Sequence, residues 1–89
     1  MKFTRADMYR MAKYVKEMQK AGIFDVEVAF NKDVFMRANA FIEIFGDDYI
    51  VTERGCEGYS YELSQEVDGV KFHTITNDKK LAKVEKTAV

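Results

Sequence analysis

Two hydrophobic periods divide the chain at Gly22. Before it, Met8, Met11, Ala12, Val15 and Met18 recur at spacings of three and four, while Arg5, Arg10, Lys13, Lys16, Glu17 and Lys20 fall mostly on the other side. That period predicts an amphipathic helix over 4–21. Thr4 is a natural N-cap, Asp7 three residues on completes a capping box, and Lys20 complements the dipole of the last turn. Gly22 suits the position just past the helix end.

After Gly22 the period is two. Phe24, Val26, Val28 and Phe30 alternate with Asp25, Glu27 and Ala29, and Asn31-Lys32-Asp33 reads as a three-residue hairpin loop. That register sets Phe30 against Val34, Val28 against Met36, Val26 against Ala38, and Glu27 against Arg37 on the opposite face. A long second strand is expected over 34–45. Gly46-Asp47 turns it into a third strand over 48–54, with Ile44 opposite Tyr49 and Ile42 opposite Val51. A loop at Gly55-Cys56-Glu57 leads to a fourth strand over 58–66. Asp68-Gly69, a dipeptide that tolerates two positive φ angles, sets Val67 against Val70 and Glu66 against Lys71 and starts a fifth strand over 70–76.

The expected fold is therefore α+β: one domain spanning 1–89, an N-terminal amphipathic helix packed on an antiparallel β-meander of four to five strands. The helix should cover a face holding Phe24, Val26, Val28, Met36, Ile42, Ile44, Val51, Tyr61, Leu63 and Phe72. For the lysine-rich segment 78–89 the spacing of Leu81, Val84 and Ala88 allows a short helix or a frayed tail.

The same register leaves an outer face carrying Phe35, Phe41, Phe45, Ile50 and Ile75 among Glu43, Asp48, Glu62 and Glu66, with Glu43, Ile50, Glu62 and Ile75 in one cross-strand row. Apolar residues rimmed by one sign of charge suit a protein contact. The candidate partner-binding residues are Phe41, Glu43, Asp47, Asp48, Ile50, Glu57, Glu62 and Glu66. Three arrangements compete with an exposed face. A bulge near Asn39-Ala40 would turn Phe41 and Phe45 inward, the terminal segment could lay Leu81 and Val84 over Ile50 and Ile75, or a homodimer could bury the face.

Charge changes this picture most. Lys2, Arg5, Arg10, Lys13, Lys16 and Lys20 against Asp7 and Glu17 make residues 1–20 net +4. Residues 21–70 hold Lys32, Arg37 and Arg54 against eleven carboxylates, net −8, and 71–89 return to +3. The chain total of −1 thus hides a polarised molecule, which bears on partners and association rates rather than on fold. At 89 residues roughly 60–65% of the unfolded surface can be buried, enough for a sheet and a helix but not for an internal active-site cavity. No apolar run approaches the roughly 20 residues of a membrane span, and no signal-peptide pattern follows Met1-Lys2. With Cys56 as the single cysteine no intrachain disulfide forms, and a cytoplasmic location is expected.

Catalytic and cofactor chemistry lack their parts. His73 is the single histidine; Ser64 would lie opposite it with Glu62 and Glu66 flanking, but an open sheet offers no oxyanion hole. One Cys and one His cannot make a zinc cage, and no glycine-rich loop opens a helix to hold a phosphate. The expectation is a non-catalytic protein-binding module without metal or cofactor. It would be a small inhibitor or adaptor that meets a basic surface on another protein through its acidic, partly apolar sheet face. Carboxylates at strand spacing lie about 6–7 Å apart, close to the spacing of phosphates, so a nucleic-acid-handling protein is the natural target. By scale and charge pattern the chain is analogous to phage or mobile-element antagonists of host proteins. The alternative is nucleic-acid binding by the basic helix and the lysine-rich C-terminus, against which stands an overall pI near 5.8.

Overall fold

The computed structural model describes residues 2–55 and 58–83. Helix α1 runs Arg5–Lys20 and strand β1 Ile23–Glu27; strand β2, Asp33–Met36, leads into a second helix, α2, Ala38–Phe45. Strands β3 (Ile50–Glu53), β4 (Tyr61–Val67) and β5 (Val70–Thr76) follow. All five strands form one sheet in the order β1-β2-β5-β4-β3. The class is α+β, as the periods require, but the sheet is mixed: β2 and β5 run parallel, and the other neighbours are antiparallel.

Helix α1 begins as its sequence dictates. The Thr4 hydroxyl accepts from the Asp7 amide and the Asp7 carboxylate accepts from the Thr4 amide, a complete capping box, while Arg10 pairs with Asp7. These hydrogen bonds from Thr4 and Arg10 hold the Asp7 carboxyl below its ordinary 3.8. The helix ends at Ala21, and Gly22 follows at φ +91° with its carbonyl accepting from the Arg37 amide at 2.7 Å. A β-carbon on Gly22 would stand 3.2 Å from that of Ala40 and 3.3 Å from that of Arg37, so the backbone angle strains any side chain there and the neighbours would have to give by a few tenths of an ångström.

The stretch 34–45 departs most from expectation. Its second half is helix α2 rather than strand. Ala38, Phe41, Ile42 and Phe45 hold the i, i+3, i+4, i+7 spacing of a helix face, and Gly46 closes the element at φ 62°. The long-strand pairings of Ile44 with Tyr49 and Ile42 with Val51 are absent; Val51 pairs with Leu63 instead. The first hairpin also has another register. Its loop spans 28–32, Val26 pairs with Val34 and Glu27 with Asp33, and a bulge falls between Ile23 and Asp25. The β4–β5 hairpin forms as expected, with Val67 opposite Val70, Glu66 opposite Lys71, and positive φ at both Asp68 and Gly69.

The covering helix is therefore α2, not α1. Phe41, Met36, Leu63 and Val34 make the buried core, with Ile42, Phe45, Tyr49, Val51 and Phe72 packed around it. The ring of Phe41 lies 4.7 Å from that of Phe45 and 5.8 Å from that of Tyr49. Leu81 and Ala82 close the same side: Tyr49 Oη donates to the Leu81 carbonyl at 2.6 Å, and Lys83 Nζ lies over the Tyr49 ring and donates to the Asp47 carbonyl. Residues 79–83 form turns rather than a helix, and Val84 and Ala88 lie outside the described residues. Helix α1 contributes no buried residue: Met8, Met11 and Val15 are all more than half exposed, and it meets the sheet mainly along β1. The molecule is correspondingly elongated, 59 Å by 25 Å by 24 Å.

Candidate functional site

Because α2 and residues 81–83 occupy one side of the sheet, strand parity assigns the residues of the other. Asp25 pairs with Phe35 and Glu27 with Asp33; Asp33 and Phe35 stand beside Lys71 and His73; His73 faces Ser64, Ile75 faces Glu62, and Glu66 faces Lys71. On the far edge Ile50 pairs with Ser64 and Thr52 with Glu62. Alternate residues share a face, so all of these, with Arg54, line the uncovered side. At its centre lies an open depression of about 370 Å³ bounded by Asp25, Asp33, Phe35, Arg54, Glu62, His73 and Ile75.

Its electrostatics follow from that list. Asp25, Glu27, Asp33, Glu62 and Glu66 stand against Lys71 and Arg54, a net charge of −3. Lys71 Nζ holds Glu62 Oε1 at 3.0 Å, and Arg54 donates to the Tyr59 carbonyl. His73 sits between two carboxylates, Nδ1 3.4 Å from Glu62 and Nε2 3.7 Å from Asp33, and its Nδ1 is buried without a hydrogen bond. At the β1 end, Glu27 accepts from the Phe30 and Asn31 amides, which holds its carboxyl below the ordinary 4.5. The apolar part is a strip: the Phe24 ring packs 5.5 Å from Phe35, and Phe35 lies 5.3 Å from His73. Ile75 continues it on β5, and Ile50, 64% exposed, stands apart on β3 beyond Ser64.

The residues singled out from the sequence separate in space. Ile50, Glu62 and Glu66 do share the open face. Phe41 does not: it is fully buried, because the helix that replaces the expected strand turns it into the core. Glu43 lies exposed on α2, on the covered side of the sheet, and Asp47 and Asp48 lie in the α2–β3 connection. The expected row of Glu43, Ile50, Glu62 and Ile75 is thereby broken; Glu62 pairs with Ile75, and Thr52 stands where Ile50 was placed. Glu57 and Cys56 lie outside the described residues. Asp25 and Glu27 alternate with Val26, which pairs with Val34 on the covered side, so the period alone assigns both to the open face; Phe24, expected on the covered face, instead falls at the bulge between Ile23 and Asp25 and packs its ring against Phe35.

Ser64 and His73 do form a cross-strand pair beside Glu62. Among the described residues no group of three or more His, Cys, Asp or Glu is placed to hold a metal ion, and no helix is long and apolar enough to cross a membrane. No family model, no curated protein and no solved structure matches this chain.

Proposed function

We propose that the protein is a non-catalytic protein-binding module that uses the open sheet face to engage a basic, partly apolar surface of another protein, as an inhibitor or adaptor. The observation that carries this is the composition of that face: five carboxylates surround the strip of Phe24, Phe35 and Ile75, with Ile50 apart on β3, and nothing among the described residues covers it. Apolar anchors supply burial, while surrounding charges orient the partner and speed the encounter. Glu62 and Glu66, four positions apart on β4, and Asp25 and Glu27, two apart on β1, offer carboxylates at multiples of about 6–7 Å. A surface built to grip successive phosphates would accept such an array, so a nucleic-acid-handling protein is the class of target we favour.

The test is affinity capture from the native host with wild-type protein and with Glu62→Lys/Glu66→Lys in parallel, followed by direct binding measurements on the recovered protein. Loss of binding in the face variant, whose circular dichroism shows it folded, supports the reading. A partner that binds both forms equally refutes it.

A further inference from the structure

Helix α1 and the open sheet face are complementary: nothing among the described residues covers the sheet face, and the helix stripe is only partly occupied, Met11, Val15 and Met18 sharing an open groove with Phe24, Val26 and Val28 of the edge strand β1 and its end. The helix has an apolar stripe of Met8, Met11 and Val15, Met11 being 55% exposed; of its five cations against two carboxylates, net +3, Arg5 and Lys16 border that stripe, while Arg10, Lys13 and Lys20 lie towards the opposite side. The sheet face carries −3 around an apolar strip, as described above. Their dimensions agree: sixteen helical residues rise about 24 Å, and five strands about 4.8 Å apart span roughly 19 Å between the outermost axes. Yet α1 does not lie on its own sheet. The joint to β1 is only Ala21 and Gly22, held at φ +91° and tied through the Gly22 carbonyl to the Arg37 amide. That joint directs the helix away beside the edge strand.

We infer that the occupant of the open face in the free protein is α1 of a second copy of this chain, exchanged reciprocally in a two-fold dimer. Each apolar stripe lies on the partner copy's Phe35–Ile75 strip, and Arg5 and Lys16, which flank the stripe, face carboxylates of the sheet. Two such contacts reach a standard interface of about 1,600 Å² when each helix buries about 400 Å² of its own surface. The inference rests on the proposed function in that it concerns the same face: self-association guards the site, and a foreign basic surface must displace α1 to reach it.

Sedimentation equilibrium tests this without any foreign partner. Wild type should be a dimer whose dissociation constant rises with salt, as the Debye length shrinks from about 10 Å at 0.1 M to about 3 Å at 1 M. Arg5→Glu/Lys16→Glu and Glu62→Lys/Glu66→Lys should each weaken the dimer by about tenfold or more, because each sets like charges together. An equimolar mixture of the two variants should recover the wild-type affinity, since both contacts in the mixed dimer are then complementary. A monomeric wild type overturns the inference. So does a Glu62→Lys/Glu66→Lys protein as dimeric as wild type, the result expected if copies met through α1 against α1 or β1 against β1. Either result leaves the proposed function standing, because that is decided by binding of the foreign protein to the face.

Discussion

Phe41 is where the two interpretations of 34–45 give opposite results. On an outer strand its removal would weaken binding and leave stability unchanged. In the structure it is 0% exposed, on the sheet-facing side of α2, with its ring against those of Phe45 and Tyr49. Replacing such a ring with alanine removes its transfer free energy and leaves a cavity, which together cost about 3–5 kcal/mol. At roughly 0.05–0.15 kcal/mol per residue, a domain of this length has a total stability of about 4–13 kcal/mol. Phe41→Ala should therefore lower the melting temperature by roughly 12–40 °C, and a domain at the low end of that stability range would be largely unfolded. Urea denaturation followed by far-ultraviolet circular dichroism measures it. Phe41→Leu, which keeps most of the volume, should fold and show a smaller loss with an unchanged m-value. Phe30→Ala is the control: that ring is 88% exposed, and its loss should stay within about 0.5 kcal/mol. If Phe41→Ala has the urea midpoint of wild type, α2 is not the core helix and the packing described here is wrong.

Gly22→Ala should destabilise by more than about 1 kcal/mol, because alanine is strained at φ +91° and its methyl would crowd Ala40 and Arg37; a thermal melt measures this. The folded pKa values of Asp7 and Glu27 are depressed, so their stabilisation is present above the unfolded values of 3.8 and 4.5 and is lost as pH falls through the folded ones. Carboxyl NMR titration should place both midpoints below those values, and Thr4→Ala should move that of Asp7 upward. Burial first, then the charges of Asp47 and Asp78, raise the pKa of Tyr49 above 10.0, so its contribution is complete below pH 10 and declines as pH rises through the folded value. Tyr49→Phe should abolish that alkaline component in pH-dependent melts and speed amide exchange at residues 82 and 83.

What could be read from the chain was local. Helix α1, its capping box, the Gly22 joint and the Asp68-Gly69 hairpin each depend on residues within a few positions of one another, and each is present. The stretch Ala38–Phe45 carried two periods at once. Phe41, Glu43 and Phe45 alternate like a strand, while Ala38, Phe41, Ile42 and Phe45 mark a helix face, and the alanines at 38 and 40 favour the helix. Tertiary packing decided for the helix, which sets Phe41 against Met36, Leu63 and Val34 as the chain passes from β2 to the far edge at β3. The parallel pairing of β2 with β5 had no local signal, because its partners lie far apart in the chain. The open face was legible in part for the same reason: Glu62, Glu66 and Ile75 sit on well-specified hairpin strands, whereas Phe41 and Glu43 depended on the one stretch with two readings.

The order β1-β2-β5-β4-β3 places the last strand of the described residues at the middle of the sheet. Until β5 arrives, β1–β2 and β3–β4 are two separate hairpins with no hydrogen-bonded ladder between them. Joining them requires Asp33 to meet Lys71 across the intervening chain. Closure on that scale slows folding more than the local hairpins do. On a ribosome the protein is therefore committed to its fold only after the segment through Thr76 has emerged, and a nascent chain that has emerged through β4 but not β5 exposes the unpaired inner edges of both hairpins. A chain terminated just before Val70 would keep all the residues of α1, β1, β2, α2, β3 and β4 and still lack the strand that makes them one body.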